Sequence, residues 1–261
     1  MKILESETPG MVKLKCLDCG KYYEVEDFRA KAYERIYRSF YEHNRHCPAC
    51  TAERRRRELK RRAEARLREL LANLPRLTAE SGIPARYALE KPPVRFVAEW
   101  IYLHHDRNLL LSGQTGTGKS TSACFVAIEL IKQDKRIRYT TLRGLLNEWR
   151  KAKTSEWSDA PDVLLYNLCC GLDVLIVDEM VEKARISESG QELLFEMLER
   201  VYNGECRARV WLLGNFYTGS LETIFDDAEP VRRRLRETFT CGVIDLPHSR
   251  INPIDVWSGP K

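Results

Sequence analysis

The segment of residues 113–120, with the sequence GQTGTGKS, limits the possible folds more than any other part of the chain. It fits the pattern G-x-x-x-x-G-K-[ST], and it lies between a predicted apolar strand, NLLLS, and a predicted helix. In this setting glycines let backbone N–H groups converge on a phosphate, and the helix N-terminus adds positive potential. A glycine-rich turn without a ligand is the alternative, but the flanking strand and helix favour a nucleotide phosphate site.

The residue types of this loop have different predicted tasks. Lys119 is expected to reach the β- and γ-phosphates, and Ser120 is expected to ligate Mg²⁺. The predicted nucleotide contacts comprise the whole loop and the residue after it, namely Gly113, Gln114, Thr115, Gly116, Thr117, Gly118, Lys119, Ser120 and Thr121.

Two carboxylates follow a later apolar stretch, DVLIV, about 60 residues beyond the loop. Asp178 is predicted to complete the Mg²⁺ shell, and Glu179 is predicted to orient or deprotonate an attacking water. Asn215 ends the next apolar stretch. It is a candidate for positioning that water, although for this residue alone a turn-forming Asn is the simpler interpretation. The carboxylate pair favours hydrolysis of the nucleotide over transfer to a small acceptor, and no acceptor site for a small-molecule kinase is recognisable.

From about residue 84, predicted helices alternate with short apolar strands. This alternation indicates an α/β fold in which helices flank a parallel sheet. Strands are predicted at residues 108–112, 137–141, 173–177, 209–213 and 242–246, and helices at residues 120–133, 142–153 and 191–203. A basic run, RRRLR at residues 232–236, is typical of a solvated helix face. One of its arginines is alternatively a candidate to act on a neighbouring subunit's nucleotide.

Two C-x-x-C pairs lie near the start of the chain and predict a tetrahedral Zn²⁺ site with four thiolate ligands, Cys16, Cys19, Cys47 and Cys50. His43 and His46 are second choices as ligands. The separation of the pairs exceeds the usual ~15 to 20 residues, which predicts a folded element between them. A helix is expected there, with Asp27 as a possible N-cap. Its predicted aromatic stripe consists of Tyr33, Ile36, Tyr37, Phe40 and Tyr41. Four protein ligands leave no open position, so a structural site is expected, and losing the metal should unfold this module.

A second helix is predicted over residues 51–74, with Thr51 as N-cap and Leu74-Pro75 as its end. One face is an apolar seam and the opposite face carries a basic cluster, Arg54 to Arg57, Lys60, Arg61 and Arg62. The first 75 residues carry all of the chain's net charge of +5, which indicates a separate unit with its own partner. Either nucleic acid or an acidic protein suits this face, and a solvated basic helix is the alternative. Residues 81–84 and 91–93 are predicted to be a linker.

The composition indicates where such a chain works. No run reaches the ~18 to 20 apolar residues of a membrane span, and the first ten residues have no secretory apolar segment. These features predict a cytoplasmic protein with no membrane partner. Nine cysteines in a reducing compartment favour metal binding over disulfides. The five outside the two pairs are expected to be inert core thiols, namely Cys124, Cys169, Cys170, Cys206 and Cys241.

The order of these motifs resembles that of AAA+ ATPases, and more narrowly of the DnaC/IstB group of helicase loaders and transposition helper ATPases. The closer likeness rests on IPARY at residues 83–87, LLSG at 110–113, ELLFEMLERVYN at 192–203 and GNF at 214–216. The resemblance implies that Asn215 is the sensor 1 residue, that Arg234 is the arginine finger, and that no C-terminal lid domain follows. Pro230 replaces an arginine common in loaders, so Arg232 and Arg233 remain candidates for the finger.

The resemblance also implies a function. The expected activity is ATP hydrolysis in an oligomer that assembles on ATP and loads a hexameric replicative helicase onto single-stranded DNA, with the zinc module gripping the helicase. The alternatives are a transposition helper on duplex DNA that recruits a transposase, and a zinc-ribbon DNA-binding protein with a regulatory P-loop. The expected domains are a zinc-binding module at 1–50, a basic helix and linker at 51–83, and an AAA+ ATPase domain at 84–261.

Overall fold

The computed structural model describes residues 3–9, 11–26, 45–89, 91–92, 94–180, 187–215, 229–245 and 250–252. The chain divides into two compact units, Met1–Glu69 and Leu70–Lys261. The predicted helix between the two cysteine pairs falls outside the described residues, as do His43 and Phe216. None of the helices described is both long and apolar enough to cross a membrane.

The first unit contains a three-stranded antiparallel sheet formed by β1 (Ile3–Glu5), β2 (Met11–Lys15) and β3 (Tyr22–Glu26) in that order. In β2, Val12 and Leu14 alternate with polar residues and are fully buried. This sheet is not among the elements predicted from the sequence. The alternating patterns MVKLK and YYEVE, joined by the C-x-x-C turn, are the signal that marks it.

The long helix α1 (Pro48–Glu80) departs from the prediction at both ends. It begins with Pro48, whose fixed φ suits a first helical position, and Thr51 is not its N-cap but donates its hydroxyl to the His46 carbonyl at 3.3 Å. It also continues through Pro75, although an internal proline removes a hydrogen bond and costs about 3 kcal/mol. Burial of Leu74, Leu77 and Thr78 around this turn offsets the cost.

The second unit is built on a six-stranded sheet with the order β5-β6-β7-β4-β8-β9. Its strands are β4 (Asn108–Ser112), β5 (Ile137–Thr141), β6 (Val174–Asp178), β7 (Arg209–Gly214), β8 (Phe239–Asp245) and β9 (Arg250–Asn252). All pairs are parallel except β8 with β9. The predicted parallel sheet is confirmed, and β6, β7 and β8 differ from the predicted ranges by a few residues at their ends.

Helices cover both faces of this sheet. They are α2 (Arg95–Leu103), α3 (Lys119–Ile131), α4 (Leu142–Lys153), α5 (Ala160–Cys170), α6 (Glu188–Tyr202) and α7 (Glu229–Thr238). Successive strand residues belong to opposite cores. Leu109 and Leu111 pack with α2 and α3, whereas Leu110 packs with α4, α5 and α6. The near-continuous apolar strands follow from this burial on both faces.

The stretch after α1, predicted as a linker, is packed against the sheet. Ser81 and Ile83 are buried, and the Tyr139 N–H on β5 donates to the Ser81 carbonyl at 2.7 Å. Between them Gly82 has a φ of +76°, and a Cβ there would lie 2.5 Å from the Tyr139 carbonyl oxygen. Glycine is required at this position both for its conformation and for the close approach.

Substitution of Gly82 tests this packing. Gly204, with a φ of +73° and no atom within 4 Å of an added Cβ, is the matched control. We expect Gly204→Ala to cost about 1 to 2 kcal/mol from the left-handed backbone alone. Gly82→Ala should cost about 1 to 3 kcal/mol more because of the clash. Urea unfolding followed by tryptophan fluorescence measures this, since all five tryptophans lie between residues 100 and 257. Equal losses in the two variants would contradict the packing argument.

Candidate functional site

The strand order brings three predicted site segments to one sheet edge. β7 pairs with β4 on one side and with β6 on the other. Ser112 is opposite Gly214, so the loop after β4 and Asn215 after β7 start side by side, and the Gly113 N–H donates to the Gly214 carbonyl at 3.2 Å. Asp178 ends β6 at the same edge. Ligands of open parallel sheets bind at such carboxyl ends.

These residues enclose a cavity of about 440 Å³. The predicted site residues that line it are Thr115, Gly116, Gly118, Lys119, Ser120, Thr121, Asp178, Glu179 and Asn215. Tyr87 and Gly214 complete the lining. Gly113, Gln114 and Thr117 support the loop instead: the Thr117 hydroxyl is buried and donates to the Gln114 carbonyl at 2.8 Å.

The loop takes a shape that suits phosphate binding. Gly116 and Gly118 have φ values of +87° and +81°, and a Cβ on Gly118 would lie 2.5 Å from a methyl carbon of Val94. Gly118 is also the N-cap of α3, so the free N–H groups of that helix start at the loop. The Lys119 ammonium donates to the carbonyls of Gly113 at 2.7 Å and Gln114 at 3.1 Å. Burial lowers the pKa of Lys119, and the charge of Asp178 opposes that change.

Asp178 is held from two sides. Its side chain is buried, its Oδ1 accepts the Glu179 N–H at 2.8 Å, and its Oδ2 accepts the Tyr139 hydroxyl at 2.7 Å. Burial and the nearby Asp178 charge raise the pKa of Tyr139, so its hydroxyl stays protonated and acts as a donor. Tyr139 was not among the residues predicted from the sequence. The sheet register explains the contact, because Thr141 is opposite Asp178 and Tyr139 is therefore its diagonal neighbour on the same face.

Glu179 has a strained backbone. Its φ is +55°, a left-handed conformation that costs a non-glycine residue about 1 to 2 kcal/mol. The bond from its N–H to Asp178 and the bond from the Met180 N–H to the Leu213 carbonyl at 3.0 Å hold this conformation. Strain of this kind is characteristic of functional sites.

The polar and charged groups that line the cavity fit a magnesium-bound nucleotide. The Ser120 hydroxyl and the Asp178 carboxylate are hard oxygen ligands of the type that Mg²⁺ takes alongside nucleotide phosphates. Lys119 and the start of α3 supply the positive potential that the phosphates need.

Arg234 lies elsewhere. Its guanidinium forms an ion pair with Glu199, donates to the Pro230 carbonyl at 3.0 Å, and lies 4.6 Å from the Phe195 ring centre. Arg232 pairs with Glu229 and Arg233 with Glu237. In the described part of the chain, these three arginines do not line the cavity of their own subunit.

The four predicted zinc ligands come together in the first unit. The sulfur atoms of Cys16, Cys19, Cys47 and Cys50 lie within 4.8 Å of one another. The backbone places them, because the Cys47 N–H donates to the Cys16 sulfur at 3.3 Å and the Gly20 N–H donates to the Cys16 carbonyl at 3.0 Å. Four thiols at this spacing fit a tetrahedral Zn²⁺ ion.

Hydrogen bonds act differently on two cysteines of the cluster: side-chain hydrogen bonds with Cys47 and Cys19 raise the pKa of Cys50 to about 12, whereas backbone N–H groups favour a thiolate at Cys16. Burial raises the pKa of Cys16, but N–H groups of Cys19, Cys47 and Asp18 outweigh it and lower that pKa to about 6. His46 does not belong to the cluster: its Nδ1 lies 3.0 Å from an Asp18 oxygen, and its Nε2 lies 2.6 Å from Nη1 of Arg54. Asp18 and Arg54 are therefore the polar neighbours of His46, next to the two C-x-x-C turns.

The other cysteines mostly match the expectation of inert thiols. Cys124 and Cys169 are buried, and burial raises the pKa of Cys124 and raises that of Cys241 to about 12. Cys206 differs, because a hydrogen bond from Cys169 lowers its pKa.

Sequence comparison identifies the family. A family model described as "IstB-like ATP binding protein" matches residues 42–230, more than half of the chain. The chain belongs to this family. The match includes the loop, Asp178, Glu179, Asn215, and the cysteine pair Cys47 and Cys50. No curated protein matches this IstB-like chain in sequence.

Solved structures resemble the chain at low identity. The crystal structure of the DnaC helicase loader aligns with a TM-score of 0.48 and 15% identity over 62% of this chain and 100% of that chain. The crystal structure of DnaI gives 0.45 and 17%, over 60% of this chain and 87% of that one. AMPPCP-bound DnaA from Aquifex aeolicus gives 0.42 and 16%, over 57% and 45%.

The cysteine cluster of this IstB-like chain makes a prediction about metal content. We expect one zinc ion per purified chain, measured by inductively coupled plasma mass spectrometry. Cys50→Ser should lose most of the metal, whereas Cys170→Ser, a partly exposed cysteine outside the cluster, should keep it. Chelation should increase proteolysis within residues 1–69 without changing the tryptophan fluorescence, since every tryptophan lies beyond that range. A full metal complement in Cys50→Ser would contradict the assignment.

Proposed function

We propose that this IstB-like chain hydrolyses ATP and, in an ATP-dependent assembly, loads a hexameric replicative helicase onto single-stranded DNA. The observation that carries the first part is the single cavity that unites the phosphate-binding loop with Asp178, Glu179 and Asn215. Nucleotide binding alone needs the loop. A buried aspartate and a second carboxylate at the same edge are what hydrolysis adds.

The proposed roles follow from position. The loop N–H groups and Lys119 bind the phosphates, and Ser120 and Asp178 hold the metal. Bound magnesium supplies charge neutralisation at the β- and γ-phosphates. Glu179 orients or deprotonates the attacking water as general base, and Asn215 positions that water beside the terminal phosphate.

The strained backbone of Glu179 supports this assignment. With a φ of +55°, Glu179 lines the cavity next to Lys119 and Ser120. Glycine would adopt this backbone conformation without steric strain. A glutamate at this position therefore indicates a function for its carboxylate.

Two substitutions test the chemistry. Glu179→Gln should bind ATP with near wild-type affinity but hydrolyse it at least about 100-fold more slowly, because the base is lost while the shape is kept. Lys119→Ala should abolish nucleotide binding. Glu196→Gln on α6 and Lys135→Ala just after α3, both at exposed positions, are the controls and should behave as wild type. Steady-state ATPase assays and equilibrium binding of a fluorescent ATP analogue measure both quantities. A Glu179→Gln protein with normal turnover would refute the proposed base.

Assembly is proposed to complete the site. One arginine of the run at 232–236 acts on the nucleotide of a neighbouring subunit, with Arg234 as the first choice and Arg232 and Arg233 as alternatives. For Arg234 this action requires release from Glu199, Phe195 and Tyr202, which hold it within its own subunit. Arg233 is exposed, so its release from Glu237 and Tyr202 at the surface costs less.

Single-stranded DNA binding is supported by exposed aromatic and basic side chains on α4, on α5 and in the turn between them. Trp157 and Tyr166 are 74% and 62% exposed, and Arg150 and Lys151 are exposed at the end of α4. Exposed aromatic rings beside cations are the usual platform for unpaired bases and their phosphates.

The first unit is proposed to grip the helicase. It carries the cysteine cluster, and the adjoining part of α1 carries exposed leucines, Leu59 and Leu67, beside the basic cluster at 54–62. A helix with exposed apolar side chains on one face and basic side chains on the opposite face suits a partner that has both apolar pockets and acidic groups.

The family match supports a second candidate function. The matching family is described as IstB-like, so a transposition helper that assembles on duplex DNA and recruits a transposase is the alternative. A zinc-ribbon DNA-binding protein with a regulatory P-loop is the third candidate, and negligible ATP turnover even with DNA present would favour it.

Partner capture separates the first two candidates. Tagged Glu179→Gln protein, held in its ATP state, is expected to recover the replicative helicase from native host extract, as identified by mass spectrometry. The recovery should be lost in a variant that also carries Cys47→Ser and Cys50→Ser, and kept with Cys170→Ser. Recovery of a transposase with duplex DNA and without helicase would establish the second candidate instead.

A further inference from the structure

Tyr139 connects the proposed metal-binding carboxylate to the segment that follows α1. Its hydroxyl donates to Oδ2 of Asp178 at 2.7 Å, and both side chains are buried. The other carboxylate oxygen, Oδ1, accepts the Glu179 N–H at 2.8 Å. Among the described residues, each oxygen thus accepts from one donor, which leaves one lone pair of each oxygen for a further partner.

The tyrosine itself is held by two contacts. Its N–H donates to the Ser81 carbonyl at 2.7 Å, and its ring packs edge-to-face on Tyr87 with the centres 6.4 Å apart and an interplanar angle of 77°. Tyr87 also lines the nucleotide cavity and carries the Arg86 guanidinium 4.9 Å above its ring centre. The hydroxyl therefore comes from a rigid support and not from a mobile side chain.

We propose that Tyr139 is a positioning residue: its hydroxyl fixes the rotation of the Asp178 carboxylate so that the free lone pairs face the metal of a bound nucleotide. This inference rests on the proposed ATP site. The inference adds the contact between Tyr139 and Asp178 to that site. Tyr139 lies on β5, a strand that carries none of the site residues assigned from motifs.

The physical reason is competition for the carboxylate. Two donors on opposite oxygens set the carboxylate plane. Without the tyrosine hydroxyl, the Glu179 N–H is the remaining described donor that constrains the carboxylate. Oδ2 is then free to turn toward other donors in the cavity. The Lys119 ammonium is one such donor, since it interacts electrostatically with Asp178. Partners that orient a metal ligand typically contribute 10- to 100-fold in metal affinity.

The test removes the hydroxyl and measures metal binding directly. Tyr139→Phe keeps the ring, the contact with Tyr87 and the backbone bond to Ser81. Tyr102→Phe, which removes a hydroxyl from a half-exposed ring on α2, is the matched control. Mn²⁺ binding to the full chain, saturated with a non-hydrolysable ATP analogue, is followed by electron paramagnetic resonance. Binding of the analogue in EDTA and the melting temperature are measured in parallel.

We expect the Kd for Mn²⁺ to rise about 10-fold or more in Tyr139→Phe and to stay unchanged in Tyr102→Phe. Metal-free binding of the analogue should stay within about twofold of wild type. In an Asp178→Asn background, Tyr139→Phe should cause no further loss of Mn²⁺ affinity, because the carboxylate on which it acts is gone.

Two results would overturn the inference. The first is an equal Mn²⁺ affinity in Tyr139→Phe and wild type. The second is weaker metal-free binding of the analogue with an unchanged metal dependence, which is the pattern of a purely structural role. Either result would overturn this inference and leave the proposed ATP site intact. Absence of analogue binding in the wild type would instead refute the proposed function, and this inference with it.

Discussion

The parallel pairing of β7 between β4 and β6 is the interaction on which the site depends. Residues distant in sequence, at 113–120, 178–179 and 215, become neighbours because these three strands end at one edge. Apolar side chains on both faces stabilise the pairing: Val174 and Ile176 pack on the α2 and α3 side, and Leu175 and Val177 on the other. A one-residue slip would exchange the two sets and move Asp178 out of the cavity.

This packed support permits local strain and buried charge at the edge. Glu179 has a left-handed backbone, and Asp178 is a buried carboxylate. Each costs free energy by itself, and each is held by hydrogen bonds or contacts from another element. The same arrangement fixes the directions of the polar groups in advance, which lowers the reorganisation that a charged ligand would require.

The sequence predicted the local parts of this arrangement and missed the parts that depend on register and distant packing. The loop, its flanking strand and helix, and the polar residues at strand ends are local patterns, and the predicted parallel sheet is confirmed. The Tyr139 contact with Asp178 is invisible locally, because a lone tyrosine in a strand is indistinguishable from a core residue until the pairing of β5 with β6 is known. Likewise α1 passes Pro75 because burial of Leu74 and Leu77 outweighs a local helix-breaking signal.

The two units meet the cost of folding in different ways. The second has extensive cores on both faces of its sheet, whereas the core described for the first consists of Val12 and Leu14 with Tyr23 and Val25 packed around them. Small domains with few buried apolar residues commonly gain stability from a structural metal. Four thiols within 4.8 Å of one another would also repel as thiolates unless a cation neutralised them. The cysteine cluster is thus compatible with a structural zinc ion, and we propose that the stability of the first unit depends on this ion and not on the nucleotide proposed for the second unit.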